Sequence, residues 1–396
     1  MLKGEVVIDK LFRDLIAIRL RRNPCLREIV PYFTRLRGEE HLTRDNLETI
    51  ERRLLEIAGF KDNMRGFLDK VSQETAVVTL IAGAGTRWIE SFEKAENEEL
   101  IERYKIKKDE PRAMARVDNL LDPNGGDIPV VMYNLLAVRN LGRQVIVYGG
   151  ETDERAEENR KLMEKLTAKI GVYNVIFIRQ RTYPGRGKPL GHGDAVLQAL
   201  DDIQWEKELL KKAKIIITNF GCDANSYQTV VLSLLAMYVF DKCGVHLSLL
   251  IPTSISEDPE YPIYIDSHGL PVGTLHRKDN LAPPRNGESS FQSNVGIRIF
   301  RSSALLKVLN RYRGIYKKIK QGEDGVDYPN GELKIDHFER YMMAHPASHI
   351  VLTFPIALRE EIAHTPKEIG VIPDYLKDLK TVLKQDDEFR KRNNLE

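Results

Sequence analysis

The sequence predicts an α/β fold: a doubly wound, mostly parallel sheet with an N-terminal helical extension. Three observations point there. From Ala76 onward, apolar runs of strand length alternate with amphipathic stretches of helix length. Those runs are apolar throughout rather than at every second residue, as strands covered on both faces require. Before Ala76 the period is helical, and strand texture is confined to Val6–Ile8.

Residues 1–72 read as the extension. Leu11, Phe12, Leu15, Ile16 and Ile18 give one apolar stripe; Leu47, Ile50, Leu54 and Ile57 give another. Asp45, with Glu48 three residues on, reads as the N-cap of the second helix, and the glycine of "AGFKDN" (58–63) as its stop. Both stripes need something to pack on, first of all the chain's own main domain. Support of a lid, docking of a partner and assembly of a homo-oligomer through these helices are the other uses open to them.

Residues 73–385 read as the main domain. Its strands are "AVVTLIA" from Ala76, "QVIVYGG" (144–150), "NVIFIRQ" (174–180), "KIIITNF" (214–220) and "VHLSLLIPT" (245–253). Between them lie the helical stretches "DERAEENRKLMEKLTAKIG" and "GDAVLQALDDIQWEKELLKKA", while "VVLSLLAMYVF" (230–240) reads as a core helix. A part at about 255–345 is richer in β-structure. There "YPIYIDSHGLPVGTLHR" predicts a hairpin around His268–Gly269, and "SNVGIRIF" (293–300) one strand followed by a helix from about Ser302. "KEIGVIPDYLKDLKTVLK" reads as a short strand, a turn and a closing helix, and 386–396 as a charged tail. "RKDNLAPPRNGESS" and "KQGEDGVDYPNGE" read as surface loops.

Composition narrows the function. The chain has 396 residues, 42% of them hydrophobic and 30% charged, with a net charge of +2 spread over both signs. That is a soluble globular composition with no electrostatic footprint for nucleic acid. The longest apolar run is about half the ~20 residues a membrane span needs. Glu5 and Asp9 argue against a secretory signal, and three cysteines without metal-type spacing argue for a reducing, cytoplasmic setting.

A parallel sheet binds ligands beyond the carboxyl ends of its strands. The strand ends Gly83–Arg87, Gln180 and Asn219–Asp223 would therefore share one edge. In "AGAGTR" the glycines let main-chain N–H groups approach a ligand, and Arg87 adds a permanent cation whose fork suits phosphate. The same loop also reads as a plain strand-to-helix turn, since it matches neither of the common phosphate-loop spacings.

The longer string "LIAGAGTRW" resembles the signature loop of the sugar-1-phosphate nucleotidyltransferases, or sugar-nucleotide pyrophosphorylases, written L-x-[AG]-G-x-G-T-R and followed by Pro-Lys. Other pieces recur in that family's order. "PRAMARV" (111–117) looks like its Pro-Lys-x-[LM]-x-P-V segment and "IPVVMYNLLAVRNLG" like the helix after it. "PLGHGDAVLQAL" (189–200) is similar to the Pro-Gly-His-Gly-Asp segment of the UDP-sugar pyrophosphorylases. "NFGCDAN" and "SNVGIRIF" resemble the metal-binding strand end and the Asn-x-Gly strand of the sugar pocket. The resemblance covers roughly 74–385.

It implies a nucleotide-diphospho-sugar-transferase sheet of glycosyltransferase-A type that joins a nucleoside triphosphate, UTP by preference, to a sugar 1-phosphate with Mg²⁺, releasing pyrophosphate. Ala82, Gly83, Ala84, Gly85 and Thr86 would contact the nucleotide and Arg87 the pyrophosphate. Gln180 would read the base, His192 and Gly193 would adjoin the nucleotide, and Asp223 would hold the metal. Asn294 would meet sugar hydroxyls, with His276 standing where the family has a glutamate. The Pro-Lys lysine has two stand-ins: Arg112 by neighbours and Lys94 by its seven-residue offset from Arg87. The late metal ligand falls on Ile372, with Asp374 two residues on. A nucleotide-sugar-binding regulator without turnover, or a glycosyltransferase using Asp223 and Asn225 as its metal motif, are the rival readings. As bare residues, Asp223 and His192 also read as helix caps and Asn294 as a cross-strand contact.

Overall fold

The computed structural model describes residues 3–34, 43–81, 86–108, 111–149, 153–183, 186, 189–201, 212–220, 224–255, 262–275, 288–323, 325–328, 331–357, 362–363 and 368–395, with the main chain alone at 3–7, 86–87, 288–291, 357 and 362–363. Four helices open the chain: α1 (Lys3–Arg22), α2 (Val30–Phe33), α3 (Arg44–Ala58) and α4 (Met64–Ser72). Next come β1 (Thr75–Leu80), α5 (Thr86–Glu90), α6 (Glu98–Tyr104), β2 (Arg116–Val117), β3 (Ile128–Pro129), α7 (Val130–Val138), β4 (Arg143–Tyr148) and α8 (Asp153–Lys169). β5 (Ile176–Arg179), α9 (His192–Asp201), β6 (Ile215–Phe220), β7 (Ala224–Asn225) and α10 (Tyr227–Lys242) follow. The remainder is β8 (Leu249–Ile255), β9 (Pro262–Ile265), β10 (Pro271–Thr274), β11 (Glu288–Asn294), β12 (Ile297–Arg301), α11 (Ser302–Lys320), α12 (Ile335–Met343), β13 (Val351–Ala357), β14 (Ile362–Ala363) and α13 (Ile372–Arg392).

The main sheet runs β10-β9-β11-β8-β12-β6-β1-β4-β5, with β13 on the free side of β8. Strands β6, β1, β4 and β5 are mutually parallel, and β13 is parallel to β8. The other pairings, from β12 outward, are antiparallel. The sheet is thus mixed rather than mostly parallel. Strands β9 and β10 are joined by a short turn, which only antiparallel neighbours accept, and β11 and β12 follow one another antiparallel to β8.

Both faces are covered. Val77, Ile217, Ile297 and Ile299 point to a core shared with α10 and with Leu20, Phe33, Leu54 and Phe67 of α1 to α4. Ala76, Val78, Ile216 and Phe300 point to a second core built from α9, α11 and α12. Helix α10 is buried almost all round, as its unbroken apolar run requires, and Ser226 caps it by accepting the N–H of Thr229 at 3.1 Å.

The opening helices are part of the first core rather than an appendage. Phe33 stacks on Phe354 of β13 at 4.3 Å and meets Phe240 of α10 edge-on at 4.9 Å. The expected strand at Val6–Ile8 lies inside α1, where the surrounding helical period overrides three β-branched residues. The first stripe divides over two faces: Phe12 and Ile16 are half-buried, Ile16 against the first core beside buried Ala17 and Leu20, whereas Leu11, Leu15 and Ile18 are exposed. Helix α3 starts two residues earlier than expected, because Thr43 accepts the N–H of Asn46 while Asn46 Oδ1 accepts the N–H of Thr43 at 3.0 Å. Its stop is Gly59, as expected, at φ +83°.

Downstream, the hairpin around His268–Gly269 forms between β9 and β10. "SNVGIRIF" is two strands, not one. β11 ends at Asn294, and a bend at Gly296 (φ +84°) turns the chain into β12. "KEIGVIPD" holds a 3₁₀ turn at Ile369–Val371 in place of a strand. The expected tail continues α13 to Arg392, with Phe389 fully buried. Among the described residues no helix is long and apolar enough to cross a membrane. Cys25 and Cys243 are free thiols, and Cys222 lies outside the described residues.

Candidate functional site

Sheet register sets which strand ends lie side by side. Leu80, at the end of β1, is paired with Phe220, at the end of β6, and with Val147 of β4. The glycine loop 82–85 and the loop 221–223 therefore leave the same sheet edge from adjacent strands, which lie ~4.8 Å apart. Ala82, Gly83, Ala84, Gly85, Asp223 and His276 fall outside the described residues. Thr86 and Arg87 open α5, so the glycine loop does run into a helix. Trp88, one residue on, is fully buried among Tyr104, Ile369 and Tyr375 and pins that helix.

The next strand end carries Gln180. It is buried, its main-chain N–H bonds Tyr148 O at 2.8 Å, and its Nε2 donates to Gly191 O at 3.0 Å. Gly191 leads into His192 at the start of α9, and the His192 ring meets the ring of Phe220 at 4.8 Å. Gln180, Gly191, His192 and Phe220 thus form one continuous corner of the carboxyl edge.

The glycines around His192 have a reason within the chain itself. A Cβ at Gly191 (φ +96°) would lie 2.6 Å from Leu333 O, and one at Gly193 2.8 Å from the same oxygen. Gly193 N–H donates to that oxygen at 2.7 Å. The backbone approach expected toward a ligand is made instead toward Leu333, and the imidazole caps α12 rather than its own helix. Its Nδ1 accepts the N–H of Ile335 at 2.9 Å. That bond leaves the proton on Nε2, and burial, reinforced by the nearby Arg298 guanidinium, pushes the pKa down to about 4.

Asp194, the last residue of "GHGD", carries a role that motif matching passed over. Fully buried, it accepts from Tyr183 at 3.0 Å, Tyr328 at 2.8 Å and Gln198 at 2.7 Å. Burial pushes its carboxyl up, and the three donors limit the rise. Below Phe220 lies a second cluster the sequence did not reveal. Arg298 sits over the Phe220 ring at 4.8 Å, pairs with buried Glu339 and reaches Asp336 at 3.1 Å. Burial alone would raise Asp336, but Arg298 and the cations around it hold the carboxyl below its usual range. Asn294 belongs to this cluster: its Oδ1 accepts Gly296 N–H at 3.0 Å and its Nδ2 faces Glu339 at 3.4 Å.

The two stand-ins for the lysine occupy different surroundings. Arg112 opens a 3₁₀ turn whose Ala113 and Met114 pack in one cluster with Ile81, the residue before the glycine loop. Lys94 is half-exposed and ion-paired with Glu368, which raises its pKa. Ile372 is fully buried among Ile369, Tyr375 and Leu376, while Asp374 faces outward from the first turn of α13. Among the described residues no three of His, Cys, Asp or Glu come together as metal ligands.

No family model and no curated protein matches the sequence. Solved structures do resemble the fold. A uridine diphosphate N-acetylglucosamine pyrophosphorylase from Trypanosoma brucei, solved with an inhibitor, is 12% identical, aligns over 90% of this chain and 75% of its own, and gives a TM-score of 0.54. A UDP-glucose pyrophosphorylase solved with UDP-glucose is 14% identical over 78% of this chain and 99% of its own, at a TM-score of 0.43. The chain thus has the fold of the trypanosomal pyrophosphorylase.

Proposed function

We propose that this chain is a sugar-1-phosphate nucleotidyltransferase that takes UTP by preference. An oxygen of the sugar 1-phosphate attacks the α-phosphorus of the nucleotide, the bond to the β-phosphate oxygen breaks, and pyrophosphate leaves with an NDP-sugar as product. The observation that carries this reading is the pairing of Leu80 with Phe220, which starts the glycine loop and the Asp223 loop side by side. The fold of a protein described as a uridine diphosphate N-acetylglucosamine pyrophosphorylase supports it.

Such a transfer asks the protein for position and positive charge more than for acid–base groups. In this reading the 82–86 main chain holds the nucleotide phosphates and Arg87 the departing pyrophosphate. Gln180 faces the base with His192 and Gly193 as neighbours, and Asn294 and His276 line the sugar side. Arg112 offsets the triphosphate charge. Its turn is packed on Ile81, whereas Lys94 is engaged with Glu368. Mg²⁺, held by Asp223 and substrate phosphates, would neutralise phosphate oxygens when bound. Buried Ile372 offers no carboxylate to share that task, the one observation that favours a nucleotide-sugar-binding regulator instead.

The deciding experiment incubates the protein with UTP, Mg²⁺ and a panel of sugar 1-phosphates and measures pyrophosphate. Release with at least one sugar supports the reading. Thermal stabilisation by UTP or a UDP-sugar without release would favour the regulator.

A further inference from the structure

Helix α1 presents two apolar faces, and the fold uses only one. Ala17 and Leu20 are buried in the first core, while Asp14 bonds the His268 ring at 2.8 Å and Arg19 reaches Gly244 O at 2.6 Å. These contacts seat the helix on the body. On its outer side stand Ile8 (54% exposed), Leu11 (56%), Leu15 (51%) and Ile18 (46%). They are four of the seven large hydrophobics exposed among the described residues, so the exposure is concentrated rather than scattered.

Their spacing is three, four, three. This is the a/d seam of a coiled coil, narrower than the stripe a helix needs to sit on a globular core. The residue order, Ile-Leu-Leu-Ile, reads the same in both directions. A two-fold axis across the helix would set Ile8 against Ile18 of a second copy and Leu11 against its Leu15. Self-complementarity of this kind is what a closed dimer interface requires. Charge selects the orientation: a parallel pair would stack Arg19, Arg21 and Arg22 on their own copies, whereas an antiparallel pair separates the two basic ends.

We infer that the outer face of α1 is a homodimer seam, two copies meeting antiparallel through Ile8, Leu11, Leu15 and Ile18. The inference stands apart from the reaction proposed above. The seam spans eleven residues, about 15 Å of helix, and buries less than the ~800 Å² per partner of a standard interface. The dimer is accordingly weak, with a dissociation constant in the ~1–100 μM range.

Sedimentation of the full chain from about 2 to 300 μM tests this against that affinity range. The expected result is a weight-average mass rising from 45.4 kDa toward twice that value. The double variant Leu11→Glu/Leu15→Glu, both sites being exposed, keeps the fold and associates at least tenfold more weakly. In a chain whose native cysteines are serine, a mixture of Ile8→Cys and Ile18→Cys forms a disulfide between copies, whereas Ile8→Cys alone does not. A wild-type chain monomeric throughout, a dimer indifferent to the two glutamates, or self-linking of Ile8→Cys would each overturn the inference. So would a monomer whose α1 face is covered by another part of its own chain, seen as slow hydrogen exchange unchanged by dilution.

Discussion

The imidazole of His192 caps a helix 143 positions away, its Nδ1 accepting the N–H of Ile335 at 2.9 Å. Protonation would place a hydrogen on the acceptor atom and break the bond, in a setting that already disfavours charge. His192 should therefore stay neutral down to about pH 4. Its folded pKa lies below the ordinary 6.5, so the unfolded chain binds the proton first and stability is lost as pH falls from 6.5 toward 4. Nitrogen NMR of the ring should report the Nε2–H tautomer at neutral pH. A His192 that titrates near 6.5 would contradict the arrangement.

A carboxylate-to-helix contact works in the opposite sense. Asp386 of α13 accepts the N–H of Tyr227, the first residue of α10, at 2.6 Å, and burial pushes its pKa up to about 7 against an ordinary 3.8. Here the folded chain holds the proton more tightly. Its contribution is full below about pH 4 and declines as pH rises through 7. Asp386→Asn keeps an acceptor and removes the charge. The variant should be more stable than wild type at pH 8, by on the order of 2–3 kcal/mol, and flatter between pH 4 and 7 in denaturant titrations.

Arg298 and Glu339 form a buried pair, and each needs the other. Glu339→Ala would leave the guanidinium in the interior beside Phe220 and should cost about 3–5 kcal/mol. Replacing both, as Arg298→Met/Glu339→Leu, should cost less, because the guanidinium is not stranded and Asp336, which loses it, keeps Arg340 and Lys334 nearby. Urea unfolding of wild type, Arg298→Met, Glu339→Leu and the double variant measures the coupling. Additive losses would mean that the pair is not a unit.

For the reaction, Arg112→Ala should lower kcat/KM about 10²-fold or more, while Lys94→Ala should stay within a few-fold of wild type. Asp223→Ala should abolish turnover, and Arg87→Ala should weaken triphosphate binding. The reverse order for Arg112 and Lys94 would hand the phosphate-neutralising role to Lys94.

How much of this was legible depended on range along the chain. The β1, β4, β5 and β6 segments were readable because each is a continuous apolar run, and the parallel order followed from the helices between them. The break between β11 and β12 was not, since one glycine at positive φ leaves no mark on the apolar texture of "SNVGIRIF". Periodicity counted the apolar residues of α1 without saying which face looks inward. The "QDDEFRKR" run suggested a solvated tail, although Leu379, Val382 and Phe389 kept helical spacing through it. The position of Gln180 directly after β5 could be read from pattern. The Arg298–Glu339 and His192–Ile335 contacts could not, because pairs 41 and 143 residues apart carry no local signal.

Helix α13 ties both ends of the polypeptide together. Its Arg392 pairs with Glu51 of α3 at 2.8 Å, 341 residues earlier, and its Phe389 fills the first core beside α10. The opening helices are therefore made long before their final neighbour exists. Contacts of such high sequence separation slow the approach to the native state. Newly made protein should pass through a collapsed intermediate with that slot still empty, and its refolding should respond steeply to helpers that shield unpaired apolar surface.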